Sequence, residues 1–128
     1  MPIRNILVVD DSPTDRKFLT DILAKSGYQV STAESAEEAL EKVKLQRPDL
    51  VLMDVVMPGQ NGYQTCALIK QNASLRSTPV IMLSSKDGVF DRARGRLAGS
   101  DRYLTKPFTK EALIDTVNEY VNLPPHST

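Results

Sequence analysis

Short apolar runs alternate with longer segments in which apolar and polar positions recur at helical spacing. The apolar runs predict five strands, at residues 5–9, 29–33, 50–53, 79–83 and 102–105. Nearly continuous runs such as Ile6–Val9 and Leu50–Met53 are typical of strands buried on both faces of a parallel sheet.

Helix signals fill each interval between the strands. Ser12, followed by Pro13, predicts the start of a helix that ends at Gly27. A capping box, in which Ser35 precedes Glu38 by three residues, opens a second helix that stops before Pro48. Three further helices are predicted at residues 63–72, at 88–97, and from a Thr109 cap to about residue 122.

This alternation predicts an α/β fold of the flavodoxin-like (βα)5 type. Its doubly wound parallel sheet has the strand order 2-1-3-4-5, with helices on both faces. Residues 1–122 are expected to form a single domain, and residues 123–128 a disordered tail.

Length and charge narrow the classes of function. A chain of 128 residues fits one domain, and its 16 Lys and Arg balance its 16 Asp and Glu. No basic field is therefore available for nucleic acid or anionic lipid, and no apolar stretch is long enough to span a membrane. Without a signal peptide, and with Cys66 as its one cysteine, the chain is expected to be cytoplasmic.

Polar residues stand where four of the five predicted strands end. Asp10 and Asp11 follow the first strand, Asp54 the third, Ser84 the fourth and Lys106 the fifth. The three acids could simply be unrelated caps of strand and loop ends. In a doubly wound sheet, however, these ends border the ligand crevice. Clustered carboxylates there call for a divalent cation, and Mg²⁺ with a lysine and a carboxylate nucleophile suits phosphoryl transfer.

Four motifs make the chain resemble the CheY-like receiver domains of response regulators. They are Val8–Ser12, Asp54–Pro58 with Gly62, Val80–Ser85 and Tyr103–Phe108. Each motif is weak alone, but together they occur in order, on strand ends, across about residues 6–108. The resemblance therefore extends over nearly the whole predicted domain.

This resemblance implies roles for five positions. Asp54 corresponds to the aspartate that accepts a phosphoryl group, and Lys106 to the lysine that contacts that group. The metal-binding acids correspond to Asp11, which binds Mg²⁺ directly, and Asp10, which binds it through water. The Asp54 carboxylate and the backbone carbonyl of Val56 are the other protein ligands of Mg²⁺ that the resemblance implies.

The resemblance also implies a switch. Ser84 corresponds to the hydroxyl residue that follows the phosphoryl group, and Tyr103 to the aromatic residue that responds to it. The Lys106–Pro107 bond is expected to be cis, as is usual in the family. Docking of a downstream protein is expected on the face formed by the predicted helix 88–97, the strand 102–105 and the last helix.

The same resemblance points to partners. Gly62–Lys70 and Ser84–Gly88 are similar to stand-alone receivers of chemotaxis-like systems that control type IV pilus twitching motility. His126 is the one histidine and lies in the tail, so a separate histidine kinase or phosphotransfer protein is expected to donate the phosphoryl group. We expect a monomeric signalling protein that catalyses only its own phosphorylation and dephosphorylation, with neither nucleic acid nor membrane as a partner.

Three other functions compete with the receiver interpretation. A haloacid-dehalogenase-like phosphohydrolase would place Asp-x-Asp after the first strand, whereas this chain has Asp10, Asp11 and Ser12 there. A flavin- or nucleotide-binding flavodoxin-like protein would need a phosphate loop at that place, where two aspartates would repel a phosphate. A degenerate receiver, used only for docking, would lack at least one of the side chains of the site, but all of them are present: Asp10, Asp11, Asp54, Ser84 and Lys106.

Overall fold

The computed structural model describes residues 5–55, 62–84, 93 and 96–121. Of residue 121 it describes the backbone alone. Five strands and four helices lie within these ranges. They are β1 Asn5–Val9, α1 Pro13–Lys25, β2 Gln29–Ala33, α2 Ala36–Gln46, β3 Leu50–Asp54, α3 Gly62–Gln71, β4 Val80–Ser84, β5 Arg102–Thr105 and α4 Lys110–Val121.

All five strands are parallel and follow the order β2-β1-β3-β4-β5, which confirms the predicted fold class. The order reverses between β1 and β3, where the chain leaves β2 on one side and places β4 and β5 on the other. In open α/β sheets, ligands bind in the crevice at such a reversal, outside the carboxyl ends of the strands.

The predicted caps form as the sequence indicates. The Ser12 hydroxyl accepts a hydrogen bond from the Asp15 N–H at 3.3 Å, and the Ser35 hydroxyl accepts one from the Glu38 N–H at 3.2 Å. Thr109 caps α4 in the same way through the Ala112 N–H. Each cap satisfies a backbone donor that the first helical turn leaves unpaired.

Two buried clusters sandwich the sheet. Successive residues of a strand point to opposite faces, so Leu7 and Val9 face α2 and α3, whereas Ile6 and Val8 face α1 and α4. Every residue of β3 and β4 is buried. These two strands are thus held rigidly from both sides, and their carboxyl ends emerge from a close-packed core.

The structure moves some predicted boundaries. β3 and β4 each extend to include their polar last residues, Asp54 and Ser84, because both still pair in register with the neighbouring strand. Of the predicted helix 88–97, only residues 93, 96 and 97 are described, and these three are helical. The carbonyl of Val56 and the tail lie outside the described residues.

Within the described ranges, none of the helices combines the length and the apolar character that a membrane crossing requires.

Candidate functional site

The register of the sheet brings the predicted site residues together. Val9 pairs with Met53, so the residues that follow them, Asp10 and Asp54, emerge side by side. Ser84 pairs with Thr105, and Lys106 therefore emerges next to Ser84 one strand further along. Residues from four strand ends are thus aligned along one edge of the sheet.

Three carboxylates converge at this edge. Asp10, Asp11 and Asp54 each offer an oxygen, and these oxygens lie within 4.8 Å of one another. Asp10 and Asp54 are buried, at 1% and 7% exposure, whereas Asp11 is exposed. Hard oxygen donors, held close and open to water on one side, fit Mg²⁺, which keeps several of its waters when it binds protein. The described residues thus fit the cation that the sequence predicts.

Lys106 bridges the carboxylates. Its Nζ lies 3.3 Å from Asp10 Oδ2, 3.3 Å from Asp54 Oδ1 and 3.3 Å from Asp15 Oδ2. Burial lowers the pKa of the Lys106 ammonium, but the charges of Asp54, Asp10 and Asp15 outweigh it and the pKa is raised. Lys106 is therefore a permanent positive charge beside the Asp54 carboxylate.

The surroundings of Asp54 disfavour the ionised form of its carboxylate. The pKa of Asp54 is raised from 3.8 to about 6, chiefly by burial and next by the charge of Asp10. The Lys106 ammonium lowers this pKa by its charge and by its hydrogen bond, while Asp11 raises it further. The ionised Asp54 carboxylate is thus under-compensated by the described residues, and one more positive charge would stabilise it.

Asp10 is fixed by its own loop. Its Oδ1 accepts a hydrogen bond from the Ser12 N–H at 3.0 Å, and its backbone carbonyl accepts one from Arg16 Nη1 at 2.7 Å. Arg16 also contacts Glu34 at 3.5 Å, which ties the end of β1 to the start of α2. These contacts hold the Asp10 carboxylate towards Asp54 with little freedom.

The family of the chain follows from comparison with known proteins. The model of the response regulator receiver domain matches residues 6–118, a span that includes all four strand ends. The chain belongs to the response regulator receiver family. This confirms the resemblance that the four motifs predict.

Two relatives from Pseudomonas aeruginosa match along most of their length. The chain is 51% identical to Protein PilG over 116 residues, which are 91% of this chain and 86% of PilG. It is 42% identical to Protein PilH over 113 residues, which are 88% of this chain and 93% of PilH.

Two solved receivers share the fold. The chemotaxis protein CheY4 of Vibrio cholerae superposes with a TM-score of 0.88 at 30% identity, covering 92% of this chain and 98% of CheY4. The receiver domain of the sensor histidine kinase PA1611 from Pseudomonas aeruginosa gives a TM-score of 0.87 at 28% identity, covering 94% and 98%. That domain holds a magnesium ion coordinated in its active site cleft.

Gly62 lies unusually close to the end of β3. Its N–H donates to the Val55 carbonyl at 2.8 Å, and a Cβ at this position would lie 2.2 Å from the Asp54 backbone oxygen. Any side chain would collide with the backbone of Asp54, so glycine is required for α3 to start this close to the site.

The two predicted switch residues lie on neighbouring strands. Ser84 is 1% exposed at the end of β4, and its carbonyl accepts a hydrogen bond from the Lys106 N–H at 2.7 Å. Tyr103 already packs against the buried cluster on the α3 face, and its hydroxyl oxygen lies 3.5 Å from that of Tyr63. The Tyr103 ring thus lies partly buried in this structure, on the strand next to β4.

The peptide bond between Lys106 and Pro107 is cis, as predicted.

Cys66 is buried on α3, its thiol donates to the Ala98 carbonyl, and burial raises its pKa to about 11. A thiol of this kind stays protonated and unreactive at neutral pH, as is typical of a buried cysteine that serves as a small core residue.

Sequence reasoning missed two residues of the site. Asp15 and Arg16 lie outside the four motifs, yet the Asp15 carboxylate is an acceptor for Lys106 Nζ, and Arg16 Nη1 donates to the Asp10 carbonyl. The available signal was position: both lie in the first turn of the helix that directly follows Asp10 and Asp11, and such a turn stands over the strand end.

Proposed function

We propose that this receiver is a phosphoacceptor signalling module in which the Asp54 carboxylate takes a phosphoryl group from a phosphohistidine protein. The observation that carries the proposal is the setting of Asp54. Its carboxylate lies between a cluster of acids suited to a divalent cation and the ammonium of Lys106. A carboxylate with two cationic neighbours can attack phosphorus while the charge on the phosphoryl oxygens is neutralised.

The step is a simple displacement. An oxygen of Asp54 forms a bond to phosphorus, and the bond from phosphorus to the donor's imidazole nitrogen breaks, leaving an aspartyl phosphate and a neutral imidazole after protonation. Asp11, Asp54 and the Val56 carbonyl are the proposed direct magnesium ligands, and Asp10 is proposed to bind the ion through water. When bound, magnesium supplies positive charge to the phosphoryl oxygens. The magnesium in the PA1611 receiver supports this assignment.

Lys106 has two tasks in this proposal. Before the reaction it neutralises the Asp54 carboxylate, and afterwards its ammonium is available to a phosphoryl oxygen. The Lys106 N–H is anchored to the Ser84 carbonyl, while its side chain extends into the crevice. The ammonium therefore lies beside Asp54 both before and after the reaction.

Ser84 and Tyr103 are the proposed switch. A phosphoryl group on Asp54 offers oxygens that the Ser84 hydroxyl can bind in that state alone, and this is the differential contact that a switch requires. Tyr103 sits one strand away, between the buried cluster and the surface. A shift at the end of β4 would change how its ring packs and would alter the surface of β5 and α4, where a downstream protein would dock.

We further propose that the module acts as a stand-alone, monomeric receiver in a type IV pilus chemotaxis-like system. The support is its 51% identity to PilG, together with the fact that it covers 86% of PilG and 93% of PilH. Its output would then be protein docking, with neither nucleic acid nor a membrane as a partner.

The direct test is labelling with a small phosphodonor. Incubation with Mg²⁺ and acetyl phosphate should add one phosphoryl group that hydroxylamine removes, and Asp54→Asn should abolish the addition. Asp49→Asn is a matched control, since it removes a carboxylate from the opposite end of the sheet and should leave labelling intact. Labelling of Asp54→Asn to the wild-type extent would refute the assignment.

Transmission has its own test. Ser84→Ala should still be labelled at Asp54 but should lose phosphate-dependent binding of the downstream partner, because the hydroxyl contact that distinguishes the two states is gone. The same phosphate-dependent gain in affinity for both proteins would show that the signal does not pass through Ser84.

A further inference from the structure

Asp15 stands at the opening of the crevice, outside the three-acid cluster. Its Oδ2 lies 3.3 Å from Lys106 Nζ, and its side chain is 47% exposed, against 1% for Asp10 and 10% for Asp54. The hydrogen bond from its N–H to the Ser12 hydroxyl fixes the Asp15 backbone in the first turn of α1. The contact between Asp15 and Lys106 therefore joins two anchored residues.

We propose that Asp15 is a positioning residue that competes with the phosphoryl group for Lys106 and restricts phosphorylation by small anionic donors. The inference rests on the proposed function and deepens it, since it concerns which donors can phosphorylate Asp54 and how fast. It assigns to Asp15 an effect on the reaction that is separate from its place in the helix.

The competition follows from which contacts change in the reaction. In the unphosphorylated protein the Lys106 ammonium is shared among Asp10, Asp15 and Asp54. A cation in the cluster would compensate the negative charges of Asp10 and Asp54. Asp15 is not part of that cluster, so it would still bind the Lys106 ammonium. A contact that is stronger before the reaction than in its transition state raises the barrier.

The position of Asp15 also exposes donors to its charge. A groove of about 400 Å³ runs beside the lysine and is lined by Asp15, Phe18, Leu19, Lys106, Pro107 and Phe108. Apart from Asp15 and Lys106, these lining residues are apolar, so Asp15 is the one anionic side chain among them. A small phosphate compound entering by this groove meets the Asp15 carboxylate before it meets the site.

A first-turn acid also stabilises its helix through the helix dipole, and Asp15 occupies such a position. That role would make α1 less stable when Asp15 is replaced, but it would not distinguish one phosphodonor from another. Donor charge therefore separates the two roles.

The experiment compares initial rates of Asp54 phosphorylation with dianionic acetyl phosphate and with monoanionic phosphoramidate, in the presence of Mg²⁺. Asp15→Asn should raise the rate constant with acetyl phosphate roughly two- to fivefold, the size expected of a partly exposed ion pair. The gain should be smaller with phosphoramidate and should shrink at high salt, where exposed charges are screened. Asp15→Glu should restore wild-type rates.

Two controls match the substitution. Asp21→Asn removes an exposed acid from the same helix, where it pairs with Lys17, and should leave both rates unchanged. Glu37→Gln removes a first-turn acid from α2, away from the site, and reports any general effect of helix stability. Asp15→Ser serves as a second variant if Asp15→Asn folds poorly, as judged by circular dichroism.

The outcomes are distinct. Unchanged or lower acetyl phosphate rates in both Asp15→Asn and Asp15→Ser would overturn the inference, as would equal gains with the two donors. Equal gains in Asp21→Asn would also overturn it, by showing a general charge effect. Wild-type protein that takes no label, or Asp54→Asn that is labelled like wild type, would instead overturn the proposed function and the inference with it.

Discussion

Acidic side chains stand at both ends of the parallel sheet, and their surroundings differ. At the end where the strands begin, the amino rim, Asp49 accepts a hydrogen bond from the Asn5 N–H at 2.9 Å. Asp101 accepts from the Val80 N–H at 2.8 Å and from Lys70 at 2.7 Å. Each of these acids has a donor from the described residues next to it.

At the end where the strands finish, the carboxyl rim, Asp10, Asp11 and Asp54 face one another, and Asp10 and Asp54 share the Lys106 ammonium with Asp15. The difference has a backbone cause. Parallel strands begin with N–H groups that need acceptors and end with carbonyl groups that need donors. Carboxylates therefore complete the amino rim, whereas on the carboxyl rim they add negative charge and create a demand for a cation.

The largest expected effect comes from the glycines that stand near the two rims. Gly62→Ala would push a Cβ to 2.2 Å from the Asp54 carbonyl oxygen, and we expect it to lower the free energy of unfolding by about 3 kcal/mol. Gly27→Ala, at the C-terminal end of α1, has open space around its Cβ, and its positive φ should cost only about 1 kcal/mol.

Urea denaturation of both glycine variants measures this difference. Equal losses would mean that backbone conformation, rather than the close approach of Gly62 to Asp54, governs the cost at the carboxyl rim.

Removal of a carboxylate from the amino rim should destabilise the protein. Asp101→Ala leaves the Val80 N–H and the Lys70 ammonium without their shared acceptor, and we expect a loss of about 2 kcal/mol in the free energy of unfolding. Thermal unfolding checks the value. No loss would break the comparison, because it would show that these hydrogen bonds are replaced by water at no cost.

The opposite sign is expected at the carboxyl rim. Asp54→Asn removes a carboxylate whose pKa is raised to about 6, and without Mg²⁺ it should stabilise the protein at neutral pH by about 1–2 kcal/mol, less than the full shift implies because the Lys106 contact weakens. A destabilised Asp54→Asn protein under these conditions would contradict the assignment of an unfavourable negative charge to Asp54 at this rim.

The pH dependence of that gain sharpens the comparison further. With its folded pKa above the unfolded value of 3.8, Asp54 favours folding while protonated, and this contribution is lost as pH rises from about 4 through 6. The advantage of Asp54→Asn over wild type should therefore disappear as pH falls from 7 to 4. Parallel unfolding curves for both proteins across this range check the window, and a constant difference would place the strain elsewhere.

Much of this fold could be predicted from the sequence, because the signals at helix and strand ends agree with the overall alternation of strands and helices. The caps at Ser12 and Ser35, the stop before Pro48 and the apolar runs each set one boundary, and alternation of elements then leaves few topologies. The predicted ends of β3 and β4 fall one residue too early, because the polar residues Asp54 and Ser84 are typical of a turn. In the structure, both residues still pair with the neighbouring strand.

The site was predictable as far as strand ends define it. Asp10, Asp54 and Lys106 converge because parallel strands finish at one edge, a property that spacing conveys. The contact between Asp15 and Lys106 was not predictable, because it depends on how α1 packs over the sheet and on which rotamer a long lysine adopts. Side-chain reach across helix and loop leaves no periodic signal in the chain.

Mg²⁺ titration followed by thermal unfolding tests most directly whether the carboxyl rim needs a cation and the amino rim does not. A ligand that binds only the folded state raises the unfolding temperature, and the stabilisation grows as the logarithm of one plus the ratio of ligand concentration to Kd. We predict that Mg²⁺ raises this temperature for wild type and Asp49→Asn, against a control of equal ionic strength, and has no effect on Asp11→Asn. An Asp11→Asn protein that responds like wild type, or an Asp49→Asn protein that does not respond, would contradict the account.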